Sequence, residues 1–188
     1  MARWTMFIAL SSLALGACGK ADDASTAAAD TGATAAAADS QLAQALGKTD
    51  DLSETAKLVN AAGLEKTFGG VGSYTIFAPT NAAIAALPEA ERSALASPAG
   101  RTQLIALLSS HVSPGYISPA DLDTALTRAG GSMKLASVGA APIALRKEGD
   151  AIILGDGNSA ARITGKPIAA TNGMIYPIDH VLPAPIEK

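Results

Sequence analysis

The spacing of apolar residues changes midway along this chain of 188 residues. In the first half, apolar side chains recur three or four positions apart, as at Leu104, Leu107 and Leu108, and this spacing predicts amphipathic helices. In the second half, short apolar runs such as 151–154 alternate with turn residues, which predicts strands. Helices followed by strands indicate an α+β domain with an antiparallel sheet.

Polar residues, prolines and glycines mark the ends of these elements. Thr80 and Ser97-Pro98 stand at predicted helix starts, and Ser118 with Asp121 has the character of a capping box. Asn172-Gly173 predicts a tight hairpin because both residues tolerate positive φ. The predicted helices cover about 52–63, 82–87, 97–112 and 118–122, and the predicted strands cover 74–78, 133–138, 143–145, 151–154, 161–163, 168–171 and 174–178.

The beginning of the chain has the pattern of an export signal. The uncharged, mostly apolar run 4–15 is shorter than the roughly 20 residues of a spanning helix, so it predicts a signal peptide over 1–17. Residues 15–18, Leu-Gly-Ala-Cys, resemble the lipobox of bacterial lipoproteins. We therefore expect Cys18 to carry lipid, with an incidental cysteine after an ordinary signal peptide as the alternative. Gly19 beside it indicates the outer membrane of a Gram-negative bacterium.

The next segment has no large apolar side chain that could build a core. Residues 18–40 are mostly Ala, Asp, Thr, Gly and Ser, which predicts a flexible, acidic tether after the lipidated cysteine. The folded domain is then expected over 41–185. The uncharged stretch 67–88 is long enough to span a membrane, but its glycines and Pro79 indicate a strand and a helix of that domain instead.

Composition narrows the classes of function. The chain is 48% hydrophobic but only 4% aromatic, and its 14 basic and 17 acidic residues give a net charge of −3, which makes nucleic acid an unexpected partner. One cysteine excludes a disulfide framework, and two histidines leave little room for a metal centre. We therefore expect no cofactor and no metal site.

Four segments, in order, resemble the signatures of the fasciclin (FAS1-type) domain. They are YTIFAPTN at 74–81, LLSSHVSPG at 107–115, SPADL at 118–122 and ATNGMIYPID at 170–179, the last followed by VLP at 181–183. The resemblance implies a fasciclin-like β-sandwich or wedge with several helices in its N-terminal half. The structural motif residues that it selects are Thr75, Phe77, Pro79, Thr80, His111, Asn172, Gly173 and Asp179.

Two residues depart from the closing signature. Tyr176 stands where the family usually has histidine, and Pro177 falls inside a predicted strand. Proline cannot donate a ladder hydrogen bond, so we expect an edge or a bulge at Pro177.

No set of residues forms a convincing catalytic group. His111 lies beside an apolar helix face and is expected to be buried and bonded to backbone, with a pH-sensitive or ligand-contacting role as the alternative. Asp121 and Asp123 are two positions apart and point to different sides of a helix. The acidic and amide residues of 150–158 lack the full spacing of a calcium loop, and no nucleophile elbow is present. We predict that the protein is not an enzyme.

Fasciclin domains are associated with cell adhesion and with binding to matrix or surfaces, and the resemblance implies that class. The expected partners are the membrane, through lipid on Cys18, and a protein or polysaccharide surface. Tyr116, Ile117, Asp121 and Leu122 lie where family adhesion segments have been proposed, although a turn and a capped helix also explain them. A periplasmic protein that binds a small molecule or assists the envelope is the alternative function.

Overall fold

The computed structural model describes residues 40–183. The predicted signal peptide, and all of the predicted tether except Ser40, lie outside these residues. The helices are α1 (Leu42–Lys48), α2 (Ser53–Ala62), α3 (Glu65–Phe68), α4 (Asn81–Ala85), α5 (Glu89–Ala96), α6 (Arg101–Ser110) and α7 (Pro119–Arg128). The strands are β1 (Tyr74–Pro79), β2 (Val112–Pro114), β3 (Ser132–Leu135), β4 (Ile143–Glu148), β5 (Ala151–Leu154), β6 (Ala161–Arg162), β7 (Ile168–Ala170) and β8 (Gly173–Ile178).

The strands form two sheets of four. The central sheet has the order β2-β1-β8-β7, and the outer sheet has the order β3-β4-β5-β6. Every neighbouring pair is antiparallel except β1 and β8, which run parallel with Tyr74 opposite Gly173. The prediction of an antiparallel sheet is therefore wrong for this pair. A parallel pair needs a long crossover, and most of the domain lies between these two strands.

The central sheet separates two apolar cores. On one face, Ile76 and Ile175 pack against helices that include α1, α2 and α6. On the other face, Phe77 and Tyr176 pack against α7 and the inner side of the outer sheet. Because side chains alternate along a strand, β1 and β8 each supply both cores. The domain is thus layered as helices, central sheet and outer sheet.

The helix starts predicted from polar residues are confirmed. Thr80 Oγ1 accepts a hydrogen bond from Ala83 N at 3.2 Å at the start of α4. Ser97 Oγ accepts one from Gly100 N at 3.0 Å, where a short 3₁₀ turn leads into α6. Each bond satisfies a backbone N–H that has no partner inside its helix.

Several element bounds differ from the predicted ones. α1, α3 and α5 were not predicted, and α3 and α5 each bury a single residue, Phe68 and Leu95. α7 continues to Arg128, well beyond the predicted end, while β3 stops at Leu135. Such short helices are stabilised by packing against the surrounding fold, which local patterns do not record.

Pro177 does not lie on an edge strand, which corrects the prediction. β8 is an interior strand of the central sheet, and its ladder with β7 reaches only Ile175. The Pro177 carbonyl accepts a hydrogen bond from Thr164 N at 2.8 Å. The backbone polar groups of Pro177 therefore point to the side of β8 on which β7 lies, at a level that β7 itself does not reach. The missing N–H therefore removes no bond of the ladder, and proline is tolerated inside the sheet.

Within residues 40–183, no helix is long and apolar enough to cross a membrane. The uncharged stretch 67–88 folds as predicted into a strand and a helix, β1 and α4.

Candidate interaction surfaces

One end of the central sheet is built from loops 69–73, 114–117 and 171–172 together with residues 40–41. We call this end the entry pole, because the described chain begins there. Three backbone bonds tie it together: Gly115 N donates to the Ser73 carbonyl at 2.8 Å, Tyr74 N to the Asn172 carbonyl at 3.1 Å and Thr171 N to the Ser40 carbonyl at 3.0 Å.

Asn172 joins the loops of the entry pole with its side chain. Its Oδ1 accepts from Leu42 N at 2.8 Å, and its Nδ2 donates to the carbonyls of Phe68 at 2.8 Å and Gly70 at 3.1 Å. Its neighbour Gly173 leaves no room for a side chain, because a Cβ there would lie 2.0 Å from the Tyr74 carbonyl oxygen. These two motif residues therefore fix the start of β8 against the helices and β1.

Thr75 holds the loop that carries the predicted adhesion segment. Its hydroxyl donates to the Gly115 carbonyl at 2.9 Å and accepts from Ile117 N at 3.0 Å. Gly115 turns the chain at φ +97°, a conformation that favours glycine. The turn leaves the Tyr116 side chain 49% exposed between two anchored neighbours.

Tyr176, the residue that replaces the family histidine, supports the same loop from inside. Its hydroxyl donates to the Ile117 carbonyl at 2.9 Å, and its ring stacks on Phe77 with 5.5 Å between centroids. Burial raises the pKa of the Tyr176 hydroxyl, so it remains a proton donor. This position is therefore part of the core and of the loop support.

The remaining two residues of the predicted segment belong to α7. Ser118 Oγ accepts from Asp121 N at 3.2 Å, and the Asp121 carboxylate accepts from Ser118 N at 3.4 Å, which completes the capping box. Leu122 is only 1% exposed in the core. Its assignment to an interaction segment is corrected accordingly, since the folded domain does not present it. Tyr116 and Asp121 are the exposed members of the four, and Asp121 is engaged in the capping box.

His111 is buried and bonded to backbone at both ring nitrogens. Nδ1 lies 2.7 Å from the Leu107 carbonyl and Nε2 lies 2.9 Å from Leu182 N, so the neutral ring donates through Nδ1 and accepts at Nε2. Burial lowers the pKa of His111 to about 4, although the bond to Leu107 opposes the shift. The ring therefore ties the segment after β8 to α6.

Asp179 and His180 form an exposed pair after β8. Asp179 Oδ1 accepts from Arg162 N at 2.7 Å and lies 2.9 Å from His180 Nδ1. Partial burial raises the pKa of Asp179, but the bonds from Arg162 N and His180 outweigh it and leave the pKa below its usual value. Asp179 thus connects β8 to β6.

A groove of about 370 Å³ crosses the outer sheet and is lined by 132–134, 144–146 and 155–156. Arg146 is held in it, with Nε 2.8 Å from a Glu148 oxygen and Nη1 donating to the Gly155 carbonyl at 2.6 Å. Lys134 is exposed on the neighbouring strand. Sequence reasoning missed this groove, because its lining comes from separate strands whose register the sequence does not display.

Among residues 40–183, no group of three or more His, Cys, Asp or Glu side chains is placed to hold a metal ion. Asp123 instead pairs with Lys147 at 2.5 Å, and this contact raises the pKa of Lys147.

Comparison with known proteins decides the family. A model of the fasciclin domain matches residues 50–185. The chain belongs to the fasciclin family. The resemblance of the four signatures and the predicted fold class are therefore confirmed. The fasciclin domain is an adhesion-type module, and fasciclin proteins are typically secreted or associated with surfaces.

Two curated relatives and one solved structure illustrate the fasciclin family. Protein sll1483 of Synechocystis is 31% identical over 129 residues, which cover 68% of this chain and 64% of that protein. The transforming growth factor-beta-induced protein ig-h3 of Sus scrofa is 33% identical over 135 residues, which cover 69% of this chain and 17% of that protein. The chain thus spans less than two thirds of either relative.

The solved structure is a FAS1 domain pair from the insect cell adhesion molecule fasciclin I. It matches with a TM-score of 0.56 and 17% sequence identity, over 76% of this chain and 50% of that chain. At this identity the likeness concerns the fold alone.

Proposed function

We propose that this protein is a lipid-anchored, non-enzymatic interaction module of the bacterial cell envelope that binds a protein or polysaccharide surface, as in adhesion. The observation that carries the proposal is the fasciclin match over residues 50–185. The relatives over this region include ig-h3 of Sus scrofa, and the solved domain pair comes from a cell adhesion molecule. The lipid would be attached at Cys18, in the outer membrane, with residues 19–40 as the tether.

The groove of the outer sheet is the surface that we assign to this partner. Its lining combines the aliphatic stems and backbone of β3 and β4 with the charged groups of Lys134, Arg146 and Asp156. Such a mixture suits a polar chain that accepts and donates hydrogen bonds, for example an extended peptide or a polysaccharide. Lys134 is exposed and makes no ion pair in the described domain, so it is the residue best placed to reach a partner.

Anchoring is tested by fractionating cells that express the wild type or the Cys18→Ser variant. The wild type is expected in the membrane fraction, and the variant is expected to leave it. Unchanged fractionation of the variant would refute the lipid anchor.

Display is tested by protease treatment of intact cells followed by immunoblotting of the domain. Cleavage supports surface binding. Full protection, with cleavage restored after the outer membrane is opened, would overturn the adhesion proposal in favour of a periplasmic role.

The groove is tested by surface attachment of a deletion strain that expresses the wild type, Lys134→Glu or Lys48→Glu. Lys48 is an exposed lysine at the end of α1, outside the groove, and is the matched control. We expect attachment to fall at least about tenfold for Lys134→Glu, because reversing a contact charge commonly costs more than 1.4 kcal/mol of binding free energy. Equal attachment by both variants would contradict the assignment.

A further inference from the structure

The entry pole carries apolar side chains that the fold does not use. Within residues 40–183, the exposed large apolar residues are Val71, Tyr116 and Val138. Val71 lies at the tip of loop 69–73 and is fully exposed, and Tyr116 lies in loop 114–117. Val138 is elsewhere, because its N donates to the Val112 carbonyl at the far end of β2.

Val71 and Tyr116 belong to one surface. The backbone bond from Gly115 to Ser73 joins their two loops, and each residue is one or two positions from that bond. With about 3.8 Å between consecutive Cα atoms, the Cα atoms of Val71 and Tyr116 lie within about 18 Å of each other. The loops that carry the two residues therefore lie side by side at this end of the sheet.

The entry pole is also uncharged. Residues 40–41, 69–73, 114–117 and 171–172 contain no Asp, Glu, Lys or Arg, although the whole chain has a net charge of −3. The nearest carboxylate along loop 114–117, Asp121, is engaged by Ser118 in the capping box. A neutral surface with an aliphatic tip and a tyrosine has the composition that favours the interface between lipid and water.

The chain outside the described residues ends at this same surface. The carbonyl of Ser40 accepts from Thr171 N within the entry pole, so the segment that leads back to Cys18 leaves the domain there. If residues 19–40 form the tether that their composition predicts, these 22 residues would extend over roughly 25–30 Å on average. Lipid at Cys18 would therefore keep the entry pole near the bilayer, where even a weak contact is populated because it is intramolecular.

We infer that the entry pole rests on the lipid surface, with the side chains of Val71 and Tyr116 at the level of the headgroups and the first acyl carbons. This inference rests on the lipid anchor proposed above. It assigns Tyr116 to lipid, and it leaves the groove of the outer sheet, which shares no residue with the entry pole, to the envelope partner.

The test places a fluorescent reporter at each exposed valine. Val71→Trp and the control Val138→Trp are made in a Trp4→Phe background, so that each chain has one tryptophan. The lipidated proteins are purified from the expressing bacterium and reconstituted into phosphatidylethanolamine–phosphatidylglycerol vesicles with or without brominated acyl chains.

We expect brominated lipid to reduce the emission of Val71→Trp at least about twofold and to leave Val138→Trp nearly unchanged. Adding Tyr116→Asp to Val71→Trp is expected to lower the lipid-bound fraction of the pole about tenfold, since an apolar contact is replaced by a charge. A circular dichroism melt of each variant verifies its fold. Equal quenching at the two positions, or none at Val71→Trp, would overturn the inference.

The experiment distinguishes a failure of the proposed lipid anchor from a failure of the proposed contact between the entry pole and lipid. A protein that stays in membranes but shows no quenching at Val71→Trp refutes the lipid contact and leaves the anchor intact. A protein that is never membrane-bound refutes the anchor, and adding it to the same vesicles at high lipid concentration then tests the pole directly. Quenching of Val71→Trp above the Val138→Trp control still supports the contact, and its absence still overturns it.

Discussion

The two ends of the central sheet are closed by different chemistry. At the entry pole, the side chains of Asn172 and Thr75 bridge loops by hydrogen bonds to backbone groups. At the opposite end, the His111 ring connects α6 to Leu182. An amide and a hydroxyl do not titrate at ordinary pH, whereas a histidine does. We therefore expect acid to weaken the connection at His111 and to leave the bonds of Asn172 and Thr75 intact.

The largest expected effect is at the entry pole. Gly173→Ala places a Cβ 2.0 Å from the Tyr74 carbonyl oxygen, and backbone on both sides prevents an easy shift. We expect a loss of about 4 kcal/mol or more in the free energy of unfolding, measured by urea denaturation. Gly47→Ala is the control, because a Cβ there meets no atom within 4 Å. A Gly173→Ala domain as stable as the control would show that the pole adjusts freely.

The next effect tests the opposite end by pH. The pKa of His111 is about 4 in the folded protein and about 6.5 in the unfolded chain, so the unfolded chain binds the proton more tightly between these values. The contribution of this group is therefore full above about pH 6.5, falls as the pH decreases from about 6.5 to about 4, and does not change further below that. Between pH 7.5 and 4.5 this group should remove about 2 to 3 kcal/mol from the free energy of unfolding.

The His111→Gln variant should lack this decrease in the free energy of unfolding at acidic pH. We also expect it to be less stable than the wild type at neutral pH. His180→Gln is the matched control, since His180 is exposed. Urea titrations at the two pH values decide the point. The same acid sensitivity in wild type and His111→Gln would assign it to carboxylates instead.

A smaller effect returns to the entry pole. Tyr176→Phe keeps the ring stacked on Phe77 but removes the bond to the Ile117 carbonyl. We expect a loss of about 1 to 2 kcal/mol, because a part-buried carbonyl loses its partner. Tyr74 is half-buried and does not make that bond, so Tyr74→Phe is the control. Its free energy of unfolding should stay within about 0.5 kcal/mol of the wild-type value. Thermal unfolding of the two variants side by side gives the answer, and equal losses would contradict the role of the hydroxyl.

The smallest effect is at the opposite end again. Thr80→Ala removes the cap of α4 and should cost about 1 kcal/mol, while Thr80→Ser keeps a hydroxyl and should recover most of it. Chemical denaturation of both variants measures the difference. If the serine variant is as unstable as the alanine variant, the methyl group rather than the cap carries the contribution of Thr80.

Local features of the fold could be predicted from the sequence. Ser118 with Asp121 predicted the capping box. Asn172-Gly173 predicted a hairpin, and one joins β7 to β8, but its turn residues are Thr171 and Asn172, and Gly173 begins β8 without the expected positive φ. The four signatures predicted the family, which the match over 50–185 confirms. The geometry of one turn decides the capping box, whereas Asn172 and Gly173 also serve contacts with residues far away in the sequence, including Leu42 and Tyr74.

The long-range geometry of the fold could not be predicted from the sequence. The parallel pairing of β1 with β8 and the interior position of Pro177 depend on strand order, which no local pattern encodes. The groove of the outer sheet was missed for the same reason. So was the joining of the loop of Val71 to the loop of Tyr116, which depends on the backbone bond from Gly115 to Ser73. Leu122 was misassigned because a leucine after a capped turn can face either way.

The parallel pairing of β1 with β8 has a consequence for synthesis. A polypeptide emerges from the ribosome, or from an export channel, with its N-terminus first. The edge of β1 that pairs with β8 then stays unpaired until Gly173–Ile178 has emerged, because no other strand occupies that position in the central sheet. The helical layer can gather early, but its apolar face stays uncovered during this interval. The last strand to arrive therefore completes the domain, and we expect a chain truncated before β8 to be recognised by proteases and chaperones.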